Sequence, residues 1–499
     1  MRKWLAAFGL VVVALAVAVG AKTVLMRSQR LAVASVRPAV VDVGAATARL
    51  AAAVRFKTVA SAADVDANAA EFLALQAHLR ASFPALHAAL QREVIGKYGL
   101  LYTWQGSDPA AGSIALMAHQ DVVPIAPGTE GDWELPPWAG AEKDGFVWGR
   151  GAWDDKGNLM AILEAVELRV AAGFRPRQTI YLAFGQDEEL GGERGALQMA
   201  RLLKERGVRL HWVLDEGMLI TEGAVPGLAK PAALVGVAEK GFLTVRLTAN
   251  AVPGHSSMPP VQPGRTAIGM LSEALVRLEQ HQMPFRLAGV GRATFDALAP
   301  EMSGVARVVL SNLWLFGPLV ERQLTSIPSA NASFRTTTAL TVVEAGKADN
   351  VLPGRASALV QFRLLPGDSS DAVLDHVVRT VANPAIRVER TTVSAEASRV
   401  AATDGAGYRA ISRTLAELHP DVAIAPGLMV GATDSRHFDL VADNVYKFSP
   451  MRARLEDLKR FHGTNERIST ANYVELIQFY HQLIGNASSA DTSQDRSIP

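Results

Sequence analysis

Between residues 114 and 217 the chain alternates short apolar runs with amphipathic segments, and no other feature constrains its fold as strongly. The segments IALMA, TIYLAFG and LHWVLDEG have the composition of buried strands. The segments GNLMAILEAVELRVAAG and ALQMARLLKERG separate them, and each has helical periodicity and ends at a glycine. This order predicts an α/β fold with a mostly parallel sheet and helices on both faces.

A second pattern begins near residue 237, where KGFLTVRLTA alternates apolar and polar residues as an antiparallel strand does. A chain of 499 residues is too long for one ordinary core. We therefore predict a main domain in two parts, residues 40–236 and 395–485, interrupted by an inserted α+β domain over residues 237–394. The final segment, residues 486–499, lacks apolar periodicity and is predicted to be disordered.

The first 30 residues contain an uncharged apolar run, WLAAFGLVVVALAVAVGA, over residues 4–21. A bilayer requires about 20 apolar residues in a helix, whereas the core of a signal peptide usually has about 7–15. The run predicts an uncleaved membrane anchor, with the rest of the chain exported to the periplasm or another extracytoplasmic side. A cleaved signal peptide followed by secretion is the alternative.

Composition limits the chemistry that the chain can use. The net charge of +1 gives no indication of nucleic-acid binding. The chain has no cysteine, which excludes disulfides, thiolate metal ligands and a thiol nucleophile. Any bound metal must therefore be held by histidines and carboxylates.

Acidic and imidazole side chains follow each of the three predicted strands. His119 and Asp121 follow the first strand, Glu188 and Glu189 follow the second, and Asp215 ends the third. Open α/β sheets bind ligands at these carboxyl ends. Converging carboxylates repel one another unless cations neutralise them, so the pattern predicts a metal site.

The glycine-rich turn GRGAWDDKGN brings two more carboxylates, Asp154 and Asp155, to the start of a predicted helix. Asp155 has two interpretations, one as a site residue and one as the cap of that helix. His119 is a candidate metal ligand, and Asp121 is a candidate to orient its other ring nitrogen.

Eight motifs follow one another between about residues 95 and 475: MAHQDVVP, GRGAWDDKG, GQDEELGG, LDEG, GHSSMPP, DNVLPG, GATDSRHF and FHGTNERIS. In this order they resemble zinc metallopeptidase family 20, in the branch of carboxypeptidase S, aminoacylase and N-fatty-acyl amino acid synthase/hydrolase. The resemblance implies that the inserted domain is a lid or dimerisation domain, through which the protein could form a homodimer.

The resemblance also implies two zinc ions bridged by Asp154. One ion would add His119 and Asp215, and the other would add Glu189 and His462. Imidazole and carboxylate suit zinc, and two such ions can hold a hydroxide that attacks an amide carbonyl. His437 competes with His462 for the last ligand position, and the HG-x-x-E pattern favours His462.

The remaining roles also come from the resemblance. Glu188 is the general base, and His255 of the inserted domain stabilises the oxyanion, often across a dimer. A turn histidine with local hydrogen bonds is the alternative for His255. Asn350, Arg363 and Arg436 are candidates to bind the substrate, and Arg436 suits a carboxylate because its guanidinium binds one bidentately.

The resemblance implies hydrolysis of an amide whose amine side is an amino acid with a free α-carboxylate. A carboxypeptidase or dipeptidase acting on short peptides is favoured, and an N-fatty-acyl amino acid hydrolase or synthase is the alternative. A non-catalytic peptide-binding module is a third hypothesis, although Glu188 and all five ligand positions are filled. The apolar stretch over residues 295–324 is either additional core or a cover over a long acyl chain.

Overall fold

The computed structural model describes residues 2–262 and 264–489, and the bounds below refer to these residues. The strands in chain order are β1 (Gln91–Ile95), β2 (Gly99–Trp104), β3 (Ser113–His119), β4 (Ala141–Lys143), β5 (Phe146–Trp148), β6 (Thr179–Gly185), β7 (Leu210–Glu222), β8 (Ala232–Glu239), β9 (Gly241–Asn250), β10 (Gly254–His255), β11 (Thr337–Glu344), β12 (Val351–Leu352), β13 (Arg355–Leu364), β14 (Ile386–Ala395), β15 (Ala423–Met429), β16 (Val445–Arg454) and β17 (Arg467–Ser469).

The helices in chain order are α1 (Arg2–Leu25), α2 (Val43–Val54), α3 (Ala69–Ser82), α4 (Pro84–Ala89), α5 (Lys156–Ala171), α6 (Ala196–Glu205), α7 (Ala267–Gln280), α8 (Gly289–Leu298), α9 (Gly304–Ser311), α10 (Leu313–Thr325), α11 (Pro328–Phe334), α12 (Ser370–Val381), α13 (Ala406–Leu418) and α14 (Thr470–Ser488). Short 3₁₀ turns include Glu188–Leu190 and Asp434–Leu440.

The main sheet has eight strands in the spatial order β1-β2-β6-β3-β7-β16-β8-β15. The pairs β3–β6, β3–β7, β7–β16 and β8–β15 are parallel. Helices α2, α5, α13 and α14 pack on one face, and α6 and the turn Asp434–Leu440 pack on the other. The predicted α/β fold with a mostly parallel sheet is confirmed.

The two sequence-separated parts of the main domain share one hydrophobic core. Leu116 of β3 and Leu163 of α5 lie in the same buried cluster as Leu476 of α14. The side chain of Ser469 caps α14 by accepting the backbone N–H of Asn472. Because α14 extends to Ser488, it includes the first three residues of the tail predicted to be disordered. Residues 490–499 of that tail lie outside the described residues.

Strand β7 does not end at Asp215, as the sequence pattern predicted, but continues to Glu222. Its parallel pairing with β3 stops at Leu214, and its register with β16 shifts immediately after Asp215. The two residues that follow, Glu216 and Gly217, have no partner in this ladder. Asp215 therefore lies at an irregularity within a strand, and such irregularities redirect a side chain without ending the strand.

The inserted domain has its own sheet, in the order β11-β13-β9-β14, and its own core. The alternating residues Leu243, Val245 and Leu247 of β9 are all buried, and α7 and α12 cover this sheet. The helices α8–α11 form a segment that we call the helical insertion (residues 289–334), and its first two helices contact the main domain. Helix α8 packs on β15, and the hydroxyl of Thr294 donates to the backbone oxygen of Pro426.

Helix α1 contains 24 residues and no buried ones. Among the described residues it is the one helix long and apolar enough to cross a membrane. A signal sequence near an N-terminus has the same properties, so the geometry is compatible with both hypotheses.

The burial of β3 yields a stability prediction. Leu116 is fully buried, so Leu116→Ala should lower the free energy of unfolding by about 2–5 kcal/mol. Leu73 on α3 is 54% exposed, and Leu73→Ala should change it by no more than about 0.5 kcal/mol. Urea unfolding of both variants measures the difference. Equal losses would contradict the packing described here.

Candidate active site

His119 is the last residue of β3, and its imidazole is buried at the end of the sheet. Its Nδ1 lies 3.0 Å from the backbone oxygen of Asp121 and 3.5 Å from a carboxylate oxygen of the same residue. Its Nε2 lies 3.0 Å from Oδ1 of Asp154. One ring nitrogen is therefore held by Asp121, and the other faces the carboxylate predicted to bridge two metal ions.

Asp121 also fixes the turn that follows β6. Its two carboxylate oxygens accept the backbone N–H groups of Glu188 and Glu189, each at 3.1 Å. Asp121 is fully buried, and these bonds satisfy both of its oxygens. The end of β3 and the Glu188–Glu189 turn are thus joined by a single side chain.

The predicted ligands Asp154, Glu189 and His462 meet beside His119. His462 Nε2 lies 2.8 Å from Oδ2 of Asp154 and 3.3 Å from Oε2 of Glu189. Glu188 is close by, with its Oε2 at 3.9 Å from His119 Nε2. His462 has a φ of 58°, a region that non-glycine residues rarely adopt.

Glu466 positions the loop that contains Asp154. No role was predicted for Glu466 from the sequence. Its Oε1 accepts the backbone N–H groups of Gly151, Trp153 and Asp154, at 2.9–3.0 Å. Its Oε2 accepts an N–H of the buried Arg150 at 2.5 Å. Arg150 also donates to the backbone oxygen of His462, so one buried ion pair connects two ligand loops.

Asp215 contributes a further buried carboxylate, which accepts the N–H groups of Glu216 and Ser435, both at 2.9 Å.

The carboxylate of Asp155 accepts the N–H of His119 at 3.2 Å, and it makes no cap hydrogen bond to α5. Asp155 therefore occupies the N-cap position of α5, but its carboxylate binds the end of β3 and not the helix.

Asp434 and Glu216 are buried carboxylates that the motifs did not single out. Neither oxygen of Asp434 has a hydrogen-bond partner among the described residues. The Asp434 carboxylate lies so close to Gly185 that a Cβ there would stand 2.0 Å from its Oδ2. Burial raises the pKa values of both acids well above their usual range, and neighbouring carboxylates raise them further.

The residues present fit a metal ion. Ligand atoms of His119, Asp154 and Glu189 all lie within 4.8 Å of one another, and His462 contacts two of these residues. The Oε1 of Glu189 is buried without a hydrogen-bond partner among the described residues, so it is available as a ligand. Nitrogen and oxygen donors of this kind suit zinc and similar divalent ions. Asp215 lies outside the 4.8 Å group.

The imidazoles have raised pKa values. Hydrogen bonds to Asp154 and Glu189 raise the pKa of His462 to about 10. Burial opposes the protonation of His119, but hydrogen bonds to Asp121 and Asp154 outweigh it and raise its pKa well above the usual value. Burial raises the pKa of Glu188 well above that of an exposed glutamate. Both imidazoles therefore hold a proton more strongly than an exposed histidine does.

The side chains of Arg436 and His437 lie against the turn after Glu189. Arg436 donates to the backbone oxygen of Gly191 at 2.7 Å, and His437 Nε2 lies 2.8 Å from the same oxygen. The described contacts of His437 thus differ from those of His462, which faces Asp154 and Glu189.

The candidates in the inserted domain are not brought into this cluster by any described contact. His255 on β10 pairs with Val351 of β12, next to Asn350, and its Nδ1 lies 2.8 Å from the Ser257 hydroxyl. Arg363 lies on β13, with its guanidinium carbon 5.8 Å from the ring centroid of Phe242. His255 is exposed to solvent.

The fold and the buried imidazole–carboxylate cluster define an enzyme of the metallopeptidase and amidohydrolase class. The chain belongs to peptidase family M20/M25/M40, whose model matches residues 115–486. The predicted family is thereby confirmed, and this family is metal-dependent.

Two curated relatives show the branch. The N-fatty-acyl-amino acid synthase/hydrolase PM20D1.1 of Danio rerio is 41% identical over 440 residues, which cover 87% of this chain and 84% of the relative. The probable carboxypeptidase S-like 2 of Dictyostelium discoideum is 39% identical over 438 residues, which cover 87% of this chain and 83% of the relative.

Solved structures share the fold at low sequence identity. The M20 family metallo-carboxypeptidase Sso-CP2 of Sulfolobus solfataricus is 15% identical with a TM-score of 0.63, over 89% of this chain and 99% of that chain. The YXEP protein of Bacillus subtilis, described as a dinuclear metal-binding peptidase, is 14% identical with a TM-score of 0.53, over 88% and 98%.

The raised pKa values predict that metal binding releases protons. At pH 7 the metal-free protein should release about one proton from each of His119 and His462 when zinc is added, because the ion displaces them. Calorimetric titration in buffers of different ionisation enthalpy measures this number. His481→Ala is the matched control, since burial lowers the pKa of His481 to about 4 and it is already neutral. Binding heats that do not depend on the buffer would contradict the prediction.

Proposed function

We propose that this chain is a di-zinc amidohydrolase that cleaves the amide bond of short peptides or N-acyl amino acids with a free α-carboxylate. The observation that carries the proposal is the meeting of His119, Asp154, Glu189 and His462 around one point, with Glu188 beside it. A base next to a cluster of ligand atoms is the arrangement that hydrolysis requires.

In the proposed site Asp154 would hold both ions, His119 and Asp215 would complete one ligand set, and Glu189 and His462 would complete the other. Zinc is proposed because all five residues offer imidazole nitrogen or carboxylate oxygen. When bound, the two ions supply Lewis-acid polarisation of the substrate carbonyl and activation of the attacking water. Asp121 keeps His119 oriented through its Nδ1, and Glu466 keeps the Asp154 loop in place.

Glu188 is proposed as the general base and acid. It accepts a proton from the attacking water and delivers it to the nitrogen of the leaving amine. Burial supports this role, because a carboxylate with a raised pKa is a stronger base than an exposed one. The backbone N–H of Glu188 is held by Asp121, which limits the positions that its side chain can reach.

Arg436 is proposed to bind the substrate carboxylate. Its guanidinium is already positioned beside the Glu188–Glu189 turn by the hydrogen bond to Gly191.

His255, with its neighbour Asn350, is proposed to reach the active site of a second copy in a homodimer and to stabilise the oxyanion. The proposal rests on the exposure of His255 and on its place in the inserted domain. Arg363 is a weaker candidate, because its guanidinium contacts Phe242.

Two substrate classes compete within this proposal. The carboxypeptidase S-like relatives support short peptides, and the N-fatty-acyl-amino acid synthase/hydrolase relatives support acyl amino acids. The two activities share the cleaved bond and the free carboxylate, so the same residues serve both.

We also propose that α1 is a membrane anchor, with the catalytic domain on the extracytoplasmic side. A helix of 24 residues is about 36 Å long, enough to cross a hydrocarbon core of about 30 Å. A secreted protein that has lost a signal peptide is the alternative, and N-terminal sequencing of the mature protein separates the two.

The roles of the paired glutamates give a direct test. Glu188→Gln keeps its shape but cannot accept a proton, so turnover should fall about 10²–10⁴-fold while zinc content stays unchanged. Glu189→Gln weakens an anionic ligand, so zinc content and thermal stability should fall together with turnover. Metal analysis, thermal unfolding and kinetics on both variants provide the comparison. Loss of zinc from Glu188→Gln alone would show that the two roles are reversed.

The substrate class can be tested by assaying N-oleoyl-phenylalanine and Gly-Leu side by side in the presence of zinc. Hydrolysis of either substrate supports the proposed reaction, and their relative kcat/KM identifies the class. The methyl ester of N-oleoyl-phenylalanine is the control, because it lacks the charge that Arg436 would bind. Hydrogen bonds to charged groups contribute about 1.5–3 kcal/mol, so the ester should lose about 10–150-fold in kcat/KM. Equal rates for acid and ester would contradict the role of Arg436.

A further inference from the structure

The C-terminal half of α1 packs against the helical insertion. Val19 and Thr23 of α1 and Met26, directly after it, are half-buried at the spacing of a helical stripe. The side-chain amide of Asn312 donates to Thr23 Oγ1 at 2.9 Å and to the backbone oxygen of Val19 at 3.3 Å. Arg307 of α9 donates to the backbone oxygens of Thr23 and Met26.

One hydrogen bond of this contact lies within the apolar run of α1, and the others lie just beyond its end. The run extends over residues 4–21, so the bond from Asn312 to Val19 lies inside its last turn. If α1 spans a bilayer, the last turn of its apolar run lies at the boundary between headgroups and acyl chains. The helical insertion packs on α1 at that turn. The outer surface of the helical insertion must then share that depth.

The helical insertion exposes several large apolar side chains. Val305 is 78% exposed, Trp314 52% and Leu319 61%. Trp314 lies next to the α1 contact, because its indole N–H donates to Oδ1 of Asn312 at 3.1 Å. Tryptophan is enriched at membrane interfaces, where its ring is in the apolar layer and its N–H finds a polar partner.

The charges of this segment fit a lipid surface. Residues 302–320 contain one charged side chain, Arg307, and no acid. Lys22, Arg27 and Arg30 follow the apolar run of α1 at the same end of the helix. Basic residues at this position attract anionic headgroups, and the acids Glu301 and Glu321 stand at the two ends of the segment.

The additional-core hypothesis explains only part of this stretch. Met302 and Leu298 are buried in a cluster with Ala423 and Ala425, in the first half of β15. The metal-binding candidates follow the carboxyl ends of β3 and β6. The exposed apolar side chains of α9 and α10 are therefore left without a role in the core.

We propose that α9 and α10 form a membrane-contact face that inserts into the headgroup–acyl boundary of the bilayer that α1 spans. The face consists of Val305, Trp314, Leu319 and their neighbours, and its occupant is lipid. It deepens the membrane anchor proposed above and rests on it. The catalytic domain is thereby attached to the membrane at two points, one helix across the bilayer and one face on it.

The absence of native cysteine makes a clean test possible, because every introduced cysteine is unique. Full-length protein is reconstituted into vesicles of phosphatidylcholine and phosphatidylglycerol with one nitroxide label at Leu319→Cys or Val305→Cys. Power-saturation electron paramagnetic resonance then compares collisions with oxygen, which concentrates in lipid, and with a nickel chelate, which stays in water. Leu73→Cys on α3 is the matched control, a leucine of similar exposure on a distant helix.

The oxygen-to-nickel ratio should be several-fold higher at positions 319 and 305 than at position 73. A Val11→Cys label in α1 reports the anchor independently, since Val11 lies near the middle of the apolar run. A lipid signal at 11 with a water signal at 319 would overturn the membrane-contact face and leave the anchor intact. A water signal at 11 would overturn the anchor, and the face with it. Spin–spin broadening at 319 that persists on dilution with lipid would assign the face to a second copy and overturn the proposal.

Discussion

The active site depends on one buried carboxylate that is not itself a proposed ligand. Asp121 accepts the backbone N–H groups of both Glu188 and Glu189 and holds His119 through its ring nitrogen. These bonds couple the end of β3 to the turn after β6, which are adjacent in the sheet. Charge-assisted hydrogen bonds of this type are roughly twice as strong as neutral ones and fix backbone geometry. Asp121 fixes the backbone of both Glu188 and Glu189. Their side chains therefore start from fixed positions and can serve separate roles.

The second constraint is the density of negative charge. Asp154, Asp155, Asp215, Glu216 and Asp434 are all buried. Burial raises the pKa values of the last four, and neighbouring carboxylates raise those of Asp155, Glu216 and Asp434 further. Asp154 differs, because hydrogen bonds from His119 and His462 overcome its burial and lower its pKa. The Asp154 carboxylate therefore stays ionised, whereas the carboxylates around it favour the protonated form. That carboxylate is the one proposed to bridge the ions.

The sequence predicted local features well and long-range ones poorly. The ends of β3 and β6 were located because apolar runs and the residues that follow them are local signals. The continuation of β7 past Asp215 was not predicted, because its irregularity arises from pairing with β16, a distant segment. Glu466 lies more than 300 residues from the loop it holds, so no local pattern could reveal its hydrogen bonds. The apolar composition of the helical insertion likewise does not identify the surface against which its side chains pack.

The contact between Glu466 and the Asp154 loop has a consequence for how the protein is made. The loop receives its main hydrogen bonds from a residue 33 positions before the end of the chain. A nascent chain that lacks this residue and His462 contains the acidic residues of the site without the groups that order them. Long-range contacts of this kind form late, because the intervening chain must be present before they can close. The proposed site is therefore ordered only after Glu466 and His462 have been synthesised.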